Sequence, residues 1–154
     1  MIELAQEVGA ALKARGLKLV TAESCTGGWV SMALTAVAGS SDWFERGYVT
    51  YSNAAKREDL GVAEETLRRH GAVSEETARE MAAGALKRGG EVALAITGIA
   101  GPSGGSAAKP VGTVSFAWAH RSKISSETRR FDGDRESVRR QSVLHALKGL
   151  LQRL

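Results

Sequence analysis

Apolar residues in this chain recur in two rhythms, and the change from one to the other outlines a fold. From Ile2 to Arg15 they fall at Leu4, Val8, Ala11 and Leu12, one face of a helix that Gly16 stops. Two short unbroken apolar runs, Leu17–Val20 and Val92–Ile96, predict strands buried on both faces. The first gives a strand over Lys18–Thr21, a glycine-rich loop, and a helix over Trp29–Val37 that Ala38-Gly39-Ser40-Ser41 breaks. A helical turn over Asp42–Glu45, capped by Ser40 or Ser41, precedes a β-rich stretch at Gly47–Ser52. Polar helical segments follow at Asn53–Leu60 and Glu64–His70. A longer helix then starts at the capping Ser74 and runs to Arg88, ahead of Gly89-Gly90. The strand Glu91–Thr97 leads into a second glycine loop reaching Lys109-Pro110. Strands at Val111–His120 and Ile124–Phe131 lie three residues apart and so form an antiparallel hairpin. An amphipathic helix over Arg135–Leu154 completes the order.

Helices alternating with strands in this way predict a three-layer α/β/α sandwich on a mixed sheet, in a single domain of 154 residues. Right-handed crossovers make the first three strands parallel, and ligand sites in such sheets lie at the carboxyl ends of the strands. Both glycine loops emerge at that edge. The loops are T-A-E-S-C-T-G-G (21–28) and T-G-I-A-G-P-S-G-G (97–105). Their glycines let a ligand approach the backbone, and the first opens a helix whose free N–H groups form an anion site. A phosphorylated small molecule is the expected ligand. Neither loop matches a P-loop or a dinucleotide fingerprint, which removes ATPase and dinucleotide-enzyme readings.

Composition narrows the picture only a little. Hydrophobic residues make up 43% and charged residues 25%, ordinary for a globular domain, and the net charge is +4. The arginine pairs at 68–69, 129–130 and 139–140 are scattered, so a nucleic-acid partner is not expected. Met1–Arg15 is amphipathic rather than an apolar leader. No run approaches the roughly 18 apolar residues that span a bilayer, so a cytoplasmic protein without membrane contact is expected. His70, His120 and His145 lack metal-ligand spacing, and the single cysteine excludes a thiolate zinc site. Neither a metal nor another cofactor is expected.

Three arrangements could carry chemistry. Cys25 at a helix start, beside Glu23, is a possible nucleophile. A small buried residue between strand and helix is the reading preferred for it. A histidine base is weakly supported: His70 stands before Gly71, where it complements a helix C-terminus, His120 ends a strand and His145 lies in the last helix. The third set is Ser41, Tyr51 and Lys56. A serine without histidine needs a desolvated, partly neutral lysine as its base, and a tyrosine between them can relay or position the proton. The bland alternative is a capping serine, a core tyrosine and a surface lysine.

Five blocks occur here in order: T-A-E-S-C-T-G-G, A-G-S-S-x-x-F-x-x-G-x-V-T-Y-S-N-x-x-K, H-G-A-V-S, I-T-G-I-A-G-P-x-G-G-S-x-x-K-P-V-G-T-V and G-D-R-x-x-V-R-x-Q. Together they resemble the CinA C-terminal domain family across essentially the whole chain. The resemblance implies a five-stranded mixed sheet with one antiparallel strand, similar to anticodon-binding domains. It also implies hydrolysis of the carboxamide of nicotinamide mononucleotide to nicotinic acid mononucleotide and ammonia, with the family's serine–tyrosine–lysine set falling on Ser41, Tyr51 and Lys56. The expected scheme is attack by Ser41 after Lys56, helped by Tyr51, takes its proton. Backbone N–H groups of a glycine loop or of the Ser41 turn would meet the oxyanion. The substrate-binding set expected around it comprises Ser24, Thr26, Gly27, Gly28, Thr97, Gly98, Gly101, Gly104, Gly105 and Lys109, with Arg135 and Arg139 as further phosphate donors. A homodimer or higher homo-oligomer is the expected assembly. The rival readings are a non-catalytic binding module linked to competence or DNA damage, and a phosphate-ester hydrolase. The first predicts salt-sensitive binding without amide turnover, and the second lacks its metal cluster.

Overall fold

The computed structural model describes residues 1–154. In chain order it has α1 (Ile2–Ala14), β1 (Leu19–Glu23), α2 (Trp29–Thr35), a 3-10 turn at Ser40–Asp42 and β2 (Phe44–Val49). Three helices follow: α3 (Asn53–Leu60), α4 (Glu64–His70) and α5 (Glu75–Leu86). Then come β3 (Val92–Gly98), β4 (Thr113–His120), β5 (Lys123–Arg130) and α6 (Arg135–Leu151). The strands lie in the order β2-β1-β3-β4-β5. β1 pairs in parallel with β2 and β3, while β4 runs antiparallel to both β3 and β5. One antiparallel strand in five is the arrangement expected.

Side-chain alternation along the central strands separates two unlike faces. Leu19, Val92, Leu94, Ile96, Val114, Phe116 and Trp118 pack under α1, α2 and α6 in the larger cluster. The other face of the same strands carries Ala22, Ala93, Ala95, Ala117 and Ala119, which meet Ala78, Met81, Ala82 and Ala85 of α5. Small residues on both surfaces let α5 lie close to the sheet. Gly84 continues that logic towards α3, because a Cβ there would overlap the carbonyl of Leu60.

Element positions follow the hydrophobic rhythm except at β2. The stretch expected as a strand, Gly47–Ser52, is displaced towards the amino terminus, and the expected helical turn at Asp42–Glu45 is the 3-10 turn at Ser40–Asp42. β2 is an edge strand paired only with β1, from Leu19↔Phe44 to Glu23↔Val49. An edge tolerates Glu45 and Arg46 with exposed side chains, so the charged half is strand and T-Y-S is not. The shift has a consequence for function. Thr50–Ser52 becomes a loop at the carboxyl edge of the sheet, beside Ser24 after β1, Gly98 at the end of β3, and the start of α6 after β5.

Candidate functional site

At this carboxyl edge the chain buries a lysine. Ser52 caps α3 by accepting a hydrogen bond from Ala55 N at 3.0 Å, which puts Lys56 in the first turn, its side chain directed back under the loop. Lys56 is 1% exposed. Its Nζ lies 2.8 Å from the carbonyl of Thr50, 3.0 Å from that of Tyr51 and 2.9 Å from Ser24 Oγ. Burial pushes its pKa down to about 8, with the nearby Cys25 opposing the shift. The three partners are not equivalent. A carbonyl only accepts, so the two N–H bonds of a neutral amine go to Thr50 and Tyr51, and the lone pair faces the one partner able to donate, Ser24. Ser24 is held alongside by the sheet itself: its N–H donates to Ile96 O at 3.0 Å, and Thr50 N donates to Glu23 O at 2.9 Å. These bonds carry the β2-β1-β3 ladder one step beyond the strands.

The Ser24–Lys56 pair forms one wall of a cleft of about 290 Å³. Thr97 and Gly98 at the end of β3 and Gly101 and Gly104 of the second glycine loop also line it, and Arg135 stands at its mouth. Arg135 donates to Gly101 O at 2.8 Å and to the Tyr51 hydroxyl at 3.2 Å, tying the loop to the β2–α3 connection. Thr97 Oγ1 donates to Ala72 O at 2.8 Å, which brings in the turn before α5. Two larger concavities, about 670 and 770 Å³, contain neither Ser24 nor Lys56.

Of the residues expected at the site, Ser24, Tyr51, Lys56, Thr97, Gly98, Gly101, Gly104 and Arg135 line this cleft. Tyr51 does so from the rim: it is 62% exposed, and its carbonyl rather than its hydroxyl touches Lys56. Ser41 is not brought to them. It lies in the 3-10 turn before β2, where its carbonyl accepts from Lys18 Nζ at 2.8 Å. The six residues of β2 separate it from Tyr51, roughly 20 Å of extended chain. The serine beside Lys56 is Ser24.

The first glycine loop is also used differently from expectation. The anion site at the start of α2 is filled from within, by the carboxylate of Glu23. That group accepts from Val30 N at 2.8 Å, Ser31 N at 3.0 Å, Thr26 Oγ1 at 2.7 Å and Ser31 Oγ at 2.8 Å. Thr26 is therefore buried and engaged, and Gly27 and Gly28 lie outside the cleft with φ of +59° and +100°. Arg139 bonds the carbonyls of Cys25 and Thr26 and lies over the Trp29 ring instead of facing the cleft. Lys109 donates to His70 O, and Gly105 packs against Val111, both outside the cleft. Burial pushes the Cys25 thiol up to about 12, so it stays protonated near neutrality.

Cys25, beside Ser24, also lines the cleft, and Ala72, Val73, Ile99, Ala100 and Ser103, which the sequence reading does not single out, complete the lining. The block H-G-A-V-S was visible in the sequence without a role; its Ala72 and Val73 form cleft wall. No three His, Cys, Asp or Glu side chains stand close enough together to hold a metal ion.

Comparison with known proteins identifies the chain's relatives. The family described as the CinA C-terminal domain matches residues 1–154. The nicotinamide-nucleotide amidohydrolase PncC of Escherichia coli (strain K12) is 57% identical over 155 residues, covering 99% of this chain and 93% of that protein. The protein of the same name from Pseudomonas putida is 55% identical over 150 residues, covering 97% and 94%. The crystal structure of a competence-damaged protein (CinA) superfamily protein from Escherichia coli superposes with a TM-score of 0.97 at 42% identity, covering 100% of this chain and 91% of that one.

Proposed function

Since the chain belongs to the CinA C-terminal domain family, we propose that it is a nicotinamide-nucleotide amidohydrolase that works through Ser24 and Lys56. The observation that carries the mechanism is the 2.9 Å contact between a buried lysine, its pKa near 8, and a serine hydroxyl facing the cleft. Relatives of matching length, named for the same activity, support the substrate class.

Nicotinamide mononucleotide enters with its carboxamide towards Ser24. Neutral Lys56 takes the Ser24 proton as the oxygen attacks the amide carbon. The negative charge on the former carbonyl oxygen is met by backbone N–H groups of the second glycine loop; the Ser41 turn is too distant to take part. The Lys56 ammonium then protonates the amide nitrogen, the C–N bond breaks, and ammonia leaves a nicotinoyl ester of the nucleotide on Ser24. A water, deprotonated by the same lysine, attacks that ester; the bond from Ser24 Oγ to the acyl carbon breaks, the Lys56 ammonium returns its proton to Oγ, and nicotinic acid mononucleotide leaves. Arg135, at the mouth, is the donor assigned to the 5′-phosphate, exchanging its bond to Tyr51 for the substrate. Tyr51 shapes the rim through its hydroxyl and steadies Lys56 through its carbonyl.

No helix is long and apolar enough to cross a membrane. The reading takes the enzyme as cytoplasmic and as a homodimer or higher homo-oligomer, the assembly supported by the commonness of two-fold assemblies among small enzymes. The test is ammonia release from nicotinamide mononucleotide by wild type and Ser24→Ala. Turnover lost in the variant with nucleotide binding retained is expected. Near-normal turnover in Ser24→Ala would remove Ser24 from the mechanism.

A further inference from the structure

Arg135 and Arg139 stand one helical turn apart on α6, yet only the first reaches the cleft. Arg139 turns to the chain immediately after Ser24. Its Nε donates to Cys25 O at 3.0 Å and its Nη2 to Thr26 O at 3.1 Å, with the guanidinium 5.5 Å above the centre of the Trp29 ring. Arg139 reaches the two successive carbonyls with two different nitrogens of one planar guanidinium, Nε and Nη2, a spacing that the single nitrogen of an ammonium does not reproduce. Gly27 beside it is required by its backbone, with φ of +59°, and not by space, since a Cβ there would meet Arg139 Nη2 at an ordinary 3.4 Å. From the opposite side the same turn is held by Glu23, which is 1% exposed and has four donors on its carboxylate. Ser24 lies between these two anchors.

We infer that Arg139 is a positioning residue for the reaction: with Glu23 it clamps the Ser24–Gly28 turn, fixing the Ser24 hydroxyl on Lys56, and it does not bind the substrate's phosphate. The inference rests on the reading of Ser24 as the nucleophile. Misplacing a reacting group by about an ångström costs on the order of a hundredfold in rate, whereas losing a phosphate ligand weakens substrate binding. The two roles therefore separate in the kinetic constants.

The experiment measures kcat and KM for nicotinamide mononucleotide in Arg139→Lys and Arg139→Ala, with Ser24→Ala alongside. Both Arg139 variants are expected to lose kcat by about a hundredfold at unchanged KM. Low millimolar guanidinium should restore part of the rate to Arg139→Ala and none to Ser24→Ala. Arg139→Lys keeps the positive charge but loses the fork, so full activity in that variant overturns the clamp. A raised KM with kcat intact in either variant makes Arg139 a phosphate ligand and also overturns it. Should Arg139→Ala fail to fold, Arg139→Lys decides by the same split. An inactive Ser24→Ala beside a fully active Arg139→Lys defeats the clamp alone, while an active Ser24→Ala defeats the reading beneath it.

Discussion

Lys56 offers the sharpest test, because its geometry and its proton affinity lead to one measurable curve. With a pKa of about 8, roughly one lysine in ten is neutral at pH 7. At the ordinary value of 10.5 the neutral fraction would be about 300-fold smaller. Burial thus contributes about two and a half orders of magnitude of active base before any gain from orientation. In an ammonia-release assay, kcat/KM should rise about tenfold per pH unit below pH 7 and level off above pH 8, since free-enzyme ionisations govern that parameter. Lys56→Arg replaces the base with a guanidinium that keeps its proton throughout this range. It should lose a factor of about 10² to 10⁴ and lose the acid limb as well. Lys56→Met, which has no proton to exchange, should behave alike and serves as the control for charge. Two results would refute the reasoning: a profile already flat at pH 6 in wild type, or an acid limb with the same midpoint in either variant.

The same shift makes a prediction about stability. The native state holds the Lys56 proton less tightly than the unfolded chain, so between about pH 8 and 10.5 the unfolded state binds more protons and stability rises with pH. Wild type should gain up to about 3 kcal/mol over Lys56→Met across that window, a gain lost as pH falls back through about 8; parallel denaturant titrations at several pH values measure it. Ser41→Ala should leave turnover and KM near wild type, because its carbonyl, not its hydroxyl, makes the contact to Lys18; a large loss of kcat would return Ser41 to the site. Gly84→Ala pits two effects against each other: helix propensity favours alanine by about 1 kcal/mol, but the new Cβ meets the rigid Leu60 carbonyl. The clash should win, with a net loss of about 1–3 kcal/mol seen as a lower Tm, and an unchanged or higher Tm would show that α3 can move away from α5.

What was legible before the structure follows from the range of each interaction. α3 and α4 fall where the sequence pattern puts them, since capping and helical period are local. β2 does not, because its partner and its edge position are set by β1, and an edge strand carries no continuous apolar run. Chemistry suggests a lysine base, since a serine mechanism without histidine calls for one, and the family resemblance strengthens the choice of Lys56, whose role as base belongs to the proposed mechanism. Its partner was not readable from proximity in the chain. Ser41 is the closer serine in sequence, whereas Ser24 is 32 residues away and meets Lys56 only because β1 and β2 end side by side.

The first glycine loop shows why a correct signal can carry a wrong meaning. Glycines at 27 and 28 and a helix opening at Trp29 announce bare backbone and unpaired N–H groups, and both are present. Such features require an anion at the helix start and a close neighbour along the backbone, but they do not require that either be a ligand. Here Glu23 supplies the anion and Arg139 the neighbour. In a fold with a free helix start a phosphate could take this place; here it would first have to displace a carboxylate holding four hydrogen bonds. On the proposed mechanism the substrate's charge falls to the second loop and Arg135, which line the open cleft. The first loop's stiffness serves instead to aim one hydroxyl.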